Sequence, residues 1–369
     1  SRLTAKGITI SAILLNNKSS AYPELTHPLS RGGSANYYAF NAAEADGVKT
    51  LAVVGAFLAQ RYRDNDHGIV MNWIVGNEIN NGMAGEEDVD TVMDLIASGS
   101  RAVREIADEY GKDIKVAVHY TNIDDSEEVD TMAANLQNAG VDYDLFGLSY
   151  YPYWDGTMEN MQAVAENIEN TYGKDVYIAE TSYCYTTEDG DGFANSFAGT
   201  EDLVDGYAAT VQSQATMIRD ICAAADEAGA LGVFYWEGTW IPVGDADADN
   251  TALWKKYGSG WASSYSADYD PEDAGLYYGG CSWDNQAMFD FTGHPLASLN
   301  VFKYLKYGAT APLAVDFIPE VAVTCDVGGE VTLPDAVEVV YNDRAANTQE
   351  NVTWDAEQLA AIDTIKAGS

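Results

Sequence analysis

Short apolar runs alternate along the chain with longer stretches in which apolar residues recur every three to four positions. Residues 8–15, 72–75, 114–119, 143–151, 176–180 and 231–236 are runs of strand length. Between them, residues 48–63, 92–107, 158–172 and 204–228 carry a helical period. In the second of these the period falls on Val92, Leu95, Ile96, Val103 and Ile106. Gly173 supplies a stop for the third. Strands alternating with helices predict parallel βα units. Helices then cover both faces of the sheet, which is why the strands read as continuous apolar runs. After about Pro312 the texture changes. Residues 321–324, 330–333, 337–341 and 352–354 predict short strands, and only residues 356–362 carry a weak helical period. The chain therefore divides into an α/β part, 1–312, and a small all-β module, 313–369, joined through residues 309–319.

Composition narrows the function. Among 369 residues, 19 Lys plus Arg stand against 58 Asp plus Glu, a formal net charge of −39. With 47% apolar residues the chain is globular rather than disordered. So acidic a chain has nothing with which to neutralise phosphates, which argues against nucleic acid, polyanionic substrates and anionic membrane surfaces. The longest apolar run, 51–58, contains Gly55 and is far short of the roughly 18 residues of a membrane helix. Cys184, Cys222, Cys281 and Cys325 show no zinc-type spacing. High acidity, few cysteines and many Tyr and Trp fit a secreted bacterial protein.

The chemistry gathers at the C-terminal ends of the strands. Glu78, His119, Tyr150, Tyr151, Glu180, Trp236 and Glu237 all sit there. In a parallel βα barrel that end is the active face. Glu78 and Glu180 directly follow apolar strands, so each must be paired, hydrogen-bonded or functional. One alternative is that Glu78 caps the next helix, Glu180 forms an ion pair and His119 is a buried imidazole. The other is a carboxylate pair among aromatic rings, the equipment of glycoside hydrolysis. Of Tyr150 and Tyr151, neighbours on a strand, one should face the core and one the site. Asp189-Gly190-Asp191-Gly192-Phe193-Ala194-Asn195 spaces oxygens as a hard-cation loop does, or is an acidic turn without metal. No phosphate-binding glycine motif follows a strand, so no organic cofactor is expected.

Gly76-Asn77-Glu78-Ile79-Asn80-Asn81-Gly82 resembles the strand-four motif of glycoside hydrolase family 53, the arabinogalactan endo-β-1,4-galactanases. The resemblance continues in order through residues 117–122 (AVHYTN), 146–154 (FGLSYYPYW), 178–183 (IAETSY), 188–192 (EDGDG), 233–237 (VFYWE), 257–264 (YGSGWASS) and 282–286 (SWDNQ). It implies a (β/α)8 TIM-type barrel and a retaining endo-acting enzyme on the β-1,4-galactan of pectin side chains. Another retaining β-glucan or β-mannan glycosidase, and a non-catalytic polysaccharide-binding surface protein, are the competing readings. The resemblance implies Glu78 as acid/base, Glu180 as nucleophile and Asn77 as the partner of the reacting sugar's 2-hydroxyl. His119, Tyr151, Trp236 and Trp240 become substrate contacts. It also implies Ca²⁺ in the second loop, with Asp189, Asp191, Phe193 and Asn195 joined by Ser282 and Asp284. Cys184 and Cys281 lie in the two loops that calcium would join, where relatives resembling this chain carry other residues; a disulfide between them is one expectation, two unrelated thiols the other.

The resemblance also has gaps. The six predicted strands correspond to barrel strands three to eight, so the first two βα units and the strand-two Arg are missing. Residues 1–80, with His27, Tyr37 and Tyr38, resemble instead an uncharacterised bacterial glycosidase-like barrel family. The two resemblances meet at Gly76-Asn77-Glu78-Ile79-Asn80, which a join of two sequences or a hybrid lineage would both explain. Residues 319–369 resemble a bacterial Ig-like domain without its last strand, which implies attachment to a cell surface.

Overall fold

A computed structural model of the chain describes residues 11–14, 72–83, 86–199, 203–250, 252–253, 280–345 and 347–362. The expected helix at 48–63, the segment carrying His27, Tyr37 and Tyr38, and the 257–264 motif lie outside these residues. Five strands form one parallel sheet in sequential order: β1 (Ser11–Leu14), β2 (Asn72–Val75), β3 (Lys115–Tyr120), β4 (Leu145–Ser149) and β5 (Asp175–Glu180). Between them run α1 (Val89–Tyr110), α2 (Ser126–Asn138) and α3 (Met158–Asn167), and α4 (Val211–Glu227) follows β5. Further on, α5 (Val301–Tyr307) sets Val301 in a small cluster with Ile218 of α4 and Met288. Parallel neighbours joined by helical crossovers are the arrangement of part of a βα barrel.

The strands bury both faces. Trp73, Val75, Val116, Val118, Phe146, Leu148, Val176 and Ile178 join the main core under the helices. Ile74, Ala117, Leu145 and Tyr177 form a separate inner cluster on the opposite face. Gly147 lies between two strand neighbours on that inner face, and a Cβ there would stand 2.6 Å from the Tyr177 ring. Only glycine leaves room for that tyrosine. Helix starts follow their sequence signals. Asp88, Asp125, Thr157 and Thr210 each accept a backbone N–H three residues on, at 3.0, 3.1, 3.2 and 3.0 Å.

Three expectations change. The sixth strand is reduced to a parallel bridge between Ile178 and Val233. It keeps backbone bonds to β5, Ile178 N–H to Gly232 O and Phe234 N–H to Ile178 O, both 2.9 Å. Its outer side is bare among the described residues, with Leu231 63% and Phe234 49% exposed. The helix expected at 204–228 starts only at Val211, because Gly206 takes φ 82° and Thr210 caps the first turn. In the module, β6 (Val315–Phe317), β7 (Ala336–Tyr341) and β8 (Thr348–Asn351) form an antiparallel sheet. Only β7 coincides with a predicted strand. A short helix, α6 (Ala356–Ala360), starts on the Asp355 cap. The module rests on α4. Ser213 donates to Asp316, which pairs with Arg344 at 3.2 Å. The Arg344 guanidinium lies 4.6 Å over the Tyr207 ring. No described helix is long and apolar enough to cross a membrane.

Candidate active site

Two backbone irregularities aim the carboxylates. After β2 the chain turns through Gly76 at φ 88°, and Glu78 itself is left-handed at φ 45°, ψ 63°. A non-glycine residue held there costs on the order of 1–3 kcal/mol and clusters at functional sites. Glu237 shares the feature at φ 50°. On the other side, the pairing of β4 with β5 slips between Leu148 and Ser149, so that Ser149 stands opposite Glu180 rather than Ala179. One extra residue reverses the facing of the rest of the strand. The bulge thereby turns Glu180 away from the helix-covered side and towards Ser149.

The side chains converge. One carboxylate oxygen of Glu78, one of Glu180 and a ring nitrogen of His119 all lie within 4.8 Å of one another. Tyr151 donates its phenol to Glu180 Oε2 at 2.8 Å. Ser149 Oγ stands 2.7 Å from Glu78 Oε1 and 2.9 Å from His119 Nε2. His119 Nδ1 is 3.2 Å from Asn77 Oδ1. Tyr150 points the other way, into the core, and donates to Gly156 O at 3.2 Å. Tyr151 also meets Trp154 and Trp283, each with ring centroids 5.7 Å away. Trp154 is 48% exposed, an open aromatic face beside the carboxylates. Trp236 is half-buried, with its backbone N–H on Thr181 O at 2.8 Å, and Trp240 follows one turn later with its ring exposed.

The electrostatics are those of crowded acids in a partly dry cleft. Burial raises the Glu180 carboxyl, the Tyr151 hydrogen bond pulls it back, and the charges of Glu78 and Glu237 raise it again, to about 7. Burial alone pushes Glu237 to about 7. It pushes His119 the other way, to about 4, so its imidazole is neutral across the physiological range. Asp155, buried beside the site, accepts the Tyr151 N–H at 2.7 Å and is raised to about 6, chiefly by burial.

Sequence reasoning passed over Ser149, Trp154, Asp155 and Trp283. Ser149 had a signal: it lies two residues before Tyr151 and therefore on the same strand face. Trp283 lies in the 282–286 motif of the resemblance, but no local pattern aims it at the site, because it reaches there from a distant loop.

In the second cluster, one carboxylate oxygen each from Asp189, Asp191 and Asp284 lie within 4.8 Å of one another. Asp284 is fully buried and Asn195 nearly so, and Asp284 Oδ1 and Asn195 Oδ1 have no hydrogen-bond donor. Buried oxygens without donors fit a hard cation. Backbone N–H groups hold the rest: Gly190 on Asp284 at 3.0 Å, Cys281 on Asp191 at 2.8 Å and Phe193 on Asp191 at 2.9 Å. Ser282 joins the loops through its carbonyl, which accepts the Ser196 N–H at 2.8 Å.

Of the two expectations for Cys184 and Cys281, the structure has the second: both are free thiols. Cys184 belongs to the main core, and Cys281 is anchored through its backbone on Asp191. Burial pushes both thiols up to about 12, leaving no thiolate for exchange. Hydrogen bonds tie the two loops together instead, including Tyr185 N–H to Asn285 O at 2.9 Å.

Comparison with known proteins places this arrangement. Residues 61–302 match glycosyl hydrolase family 53, and residues 318–369 match the bacterial Ig-like domain (group 4). The chain is 50% identical over 238 residues to an endo-β-1,4-galactanase of Bacillus subtilis, covering 63% of this chain and 54% of that protein. It is 31% identical over 171 residues to an arabinogalactan endo-β-1,4-galactanase of Cellvibrio japonicus, 46% of this chain and 43% of that one. The chain thus spans about half the length of these curated relatives. A solved family 53 catalytic domain from Ignisphaera aggregans superposes with a TM-score of 0.61 at 28% identity, covering 82% of this chain and 75% of the other. The fungal β-1,4-galactanase fold is shared at a TM-score of 0.55 and 18% identity, over 82% of this chain and 89% of that one. The chain belongs to glycosyl hydrolase family 53 and carries a bacterial Ig-like domain at its C-terminal end.

Proposed function

We propose that the chain is the catalytic part of a retaining endo-β-1,4-galactanase, with Glu180 as nucleophile and Glu78 as acid/base. The observation that carries this is the approach of the two carboxylates, whose nearest oxygens lie within 4.8 Å. Retaining enzymes hold their carboxyl groups about 5–5.5 Å apart, whereas inverting ones leave about 6.5–9.5 Å for a water. The names of the relatives support galactan as substrate.

The residues divide the work. Glu180 attacks the anomeric carbon while protonated Glu78 gives its proton to the departing sugar oxygen, leaving a galactosyl ester on Glu180. Ionised Glu78 then takes a proton from water, which cleaves the ester with the configuration retained. The Tyr151 O–H donates to Glu180 and favours its charged, nucleophilic form. Asn77 would bind the 2-hydroxyl of the reacting sugar. Trp236, Tyr151 and the open face of Trp154 would stack on sugar rings, with Trp240 further out.

Asp189, Asp191, Asp284 and Asn195 would hold Ca²⁺, with the Phe193 carbonyl and Ser282 alongside. Its positive charge would neutralise the cluster and tie together the loops that carry Trp283 and follow Glu180. The Ig-like module would attach a secreted bacterial enzyme to the cell surface. The test of mechanism is the first product formed from a β-1,4-galactan oligosaccharide, followed by proton NMR. The β-anomer should appear first and mutarotate; initial α-anomer would rule out the retaining mechanism.

A further inference from the structure

Beyond the end of the β2–β3 ladder, one side chain takes up the pairing again. The last residues in register are Ile74 and Ala117. Further on, Asn80 Oδ1 accepts the backbone N–H of Thr121 at 2.9 Å, and Asn80 Nδ2 donates to the Thr121 carbonyl at 2.7 Å. The side-chain amide thus makes both hydrogen bonds that a neighbouring strand residue would make. Between these two fixed points one chain uses six residues, Ile74 to Asn80, where the other uses four, Ala117 to Thr121. The surplus has to leave the strand line. It does so at Gly76, φ 88°, and at Glu78, φ 45°.

We propose that Asn80 is a positioning residue that holds Glu78 in its left-handed turn and so aims the carboxylate across the cleft at Glu180. The proposal rests on Glu78 being the acid/base. A glutamate in this conformation returns to an ordinary one unless its surroundings forbid it. Two neutral hydrogen bonds are together of the same size as that strain, so the Asn80 clamp is strong enough to hold it. Ile79 and Met83, both 1% exposed, keep the turn down on the core. The clamp fixes how far the turn runs along β3. With the clamp removed, the surplus residues are free to spread, and Glu78 can relax. Its carboxylate then leaves the place where one oxygen lies within 4.8 Å of a Glu180 oxygen. A displacement of about 1 Å is enough to lower a rate by ~10²-fold.

The test uses the whole 369-residue chain and reads kcat/KM on linear β-1,4-galactan and on 2,4-dinitrophenyl β-1,4-galactobioside. In a retaining enzyme kcat/KM reports the first displacement. The sugar leaving group of galactan needs a proton in that step, and dinitrophenolate does not. Asn80→Ala should lower kcat/KM by ~10–100-fold on galactan and by at most ~3-fold on the activated substrate. Asn80→Leu, of nearly the same volume but without either hydrogen bond, should show the same split and serves if the alanine variant does not fold. In a Glu78→Ala background, Asn80→Ala should add no further loss on galactan. Equal losses on both substrates in a variant with native circular dichroism, or a further loss in the Glu78→Ala background, would overturn the proposal and leave Asn80 a purely structural residue. Glu78→Ala alone tests the assignment underneath. It should lose galactan turnover and keep the first step on the activated substrate; losing both alike would remove the acid/base assignment, and the proposal with it.

Discussion

Tyr151→Phe isolates one hydrogen bond at the centre of the site. The substitution keeps the ring, and with it the packing against Trp154 and Trp283 at 5.7 Å. It removes only the O–H that reaches Glu180 Oε2 at 2.8 Å. A hydrogen bond to a charged group contributes ~1.5–3 kcal/mol, which is ~1–2 pH units of proton affinity. Glu180 already sits at about 7 with this bond in place, because burial and the neighbouring carboxylates raise it. Without the bond its proton affinity rises further, so a higher pH is needed to ionise the nucleophile. The acidic limb of kcat/KM therefore moves up by ~1–2 pH units. Reducing-end release from galactan at substrate concentrations well below KM, measured between about pH 4 and pH 9, reads the shift. An acidic limb that does not move would mean that Tyr151 acts only as a wall, and would refute the reasoning.

Two further outcomes concern the scaffold. Asp284 is raised to about 6, and Asp191 is raised as well, in both cases chiefly by burial. The folded state therefore binds more protons than the unfolded one between about pH 4 and pH 6, and stability from these groups falls as the pH rises through that window. Ca²⁺ needs the ionised forms, so saturating CaCl2 should raise Tm by ~3 °C near pH 7 and much less near pH 5. A Tm indifferent to Ca²⁺ and EDTA at both pH values would remove the ion from this loop. Gly147→Ala should lower the urea midpoint by the equivalent of ~1–3 kcal/mol, since the new Cβ would meet the Tyr177 ring at 2.6 Å. An unchanged midpoint would mean that Tyr177 yields at no cost.

How much of the fold and site was legible in the sequence depends on which physical signal each feature leaves. Strands buried on both faces leave an unbroken apolar run, so β2 to β5 could be read directly. The ends of those runs named Glu78, His119, Tyr151 and Glu180, and the structure brings them together. What aims them left no local pattern. The bulge that turns Glu180 towards Ser149 depends on β4 and β5 together, and the left-handed turn at Glu78 on its packing. The module was less readable because its strands are short and half-exposed; all four residues of β8 are exposed, with no alternation to detect. The sixth strand reads as apolar, yet with one hydrogen-bonded side among the described residues it narrows to a bridge. The sequence left a disulfide and two free thiols equally open at Cys184 and Cys281, because loop proximity says nothing about where a side chain points; Cys184 belongs to the core.

The central claim is that Glu78 and Glu180 cut galactan. Its most direct test is reducing-end release from linear β-1,4-galactan by the 369-residue chain and by its Glu180→Gln variant, each shown to be folded by circular dichroism. The unsubstituted chain should turn over, and the variant should lose at least ~10⁴-fold. Equal rates from the two chains, or no release from a folded unsubstituted chain, would contradict it.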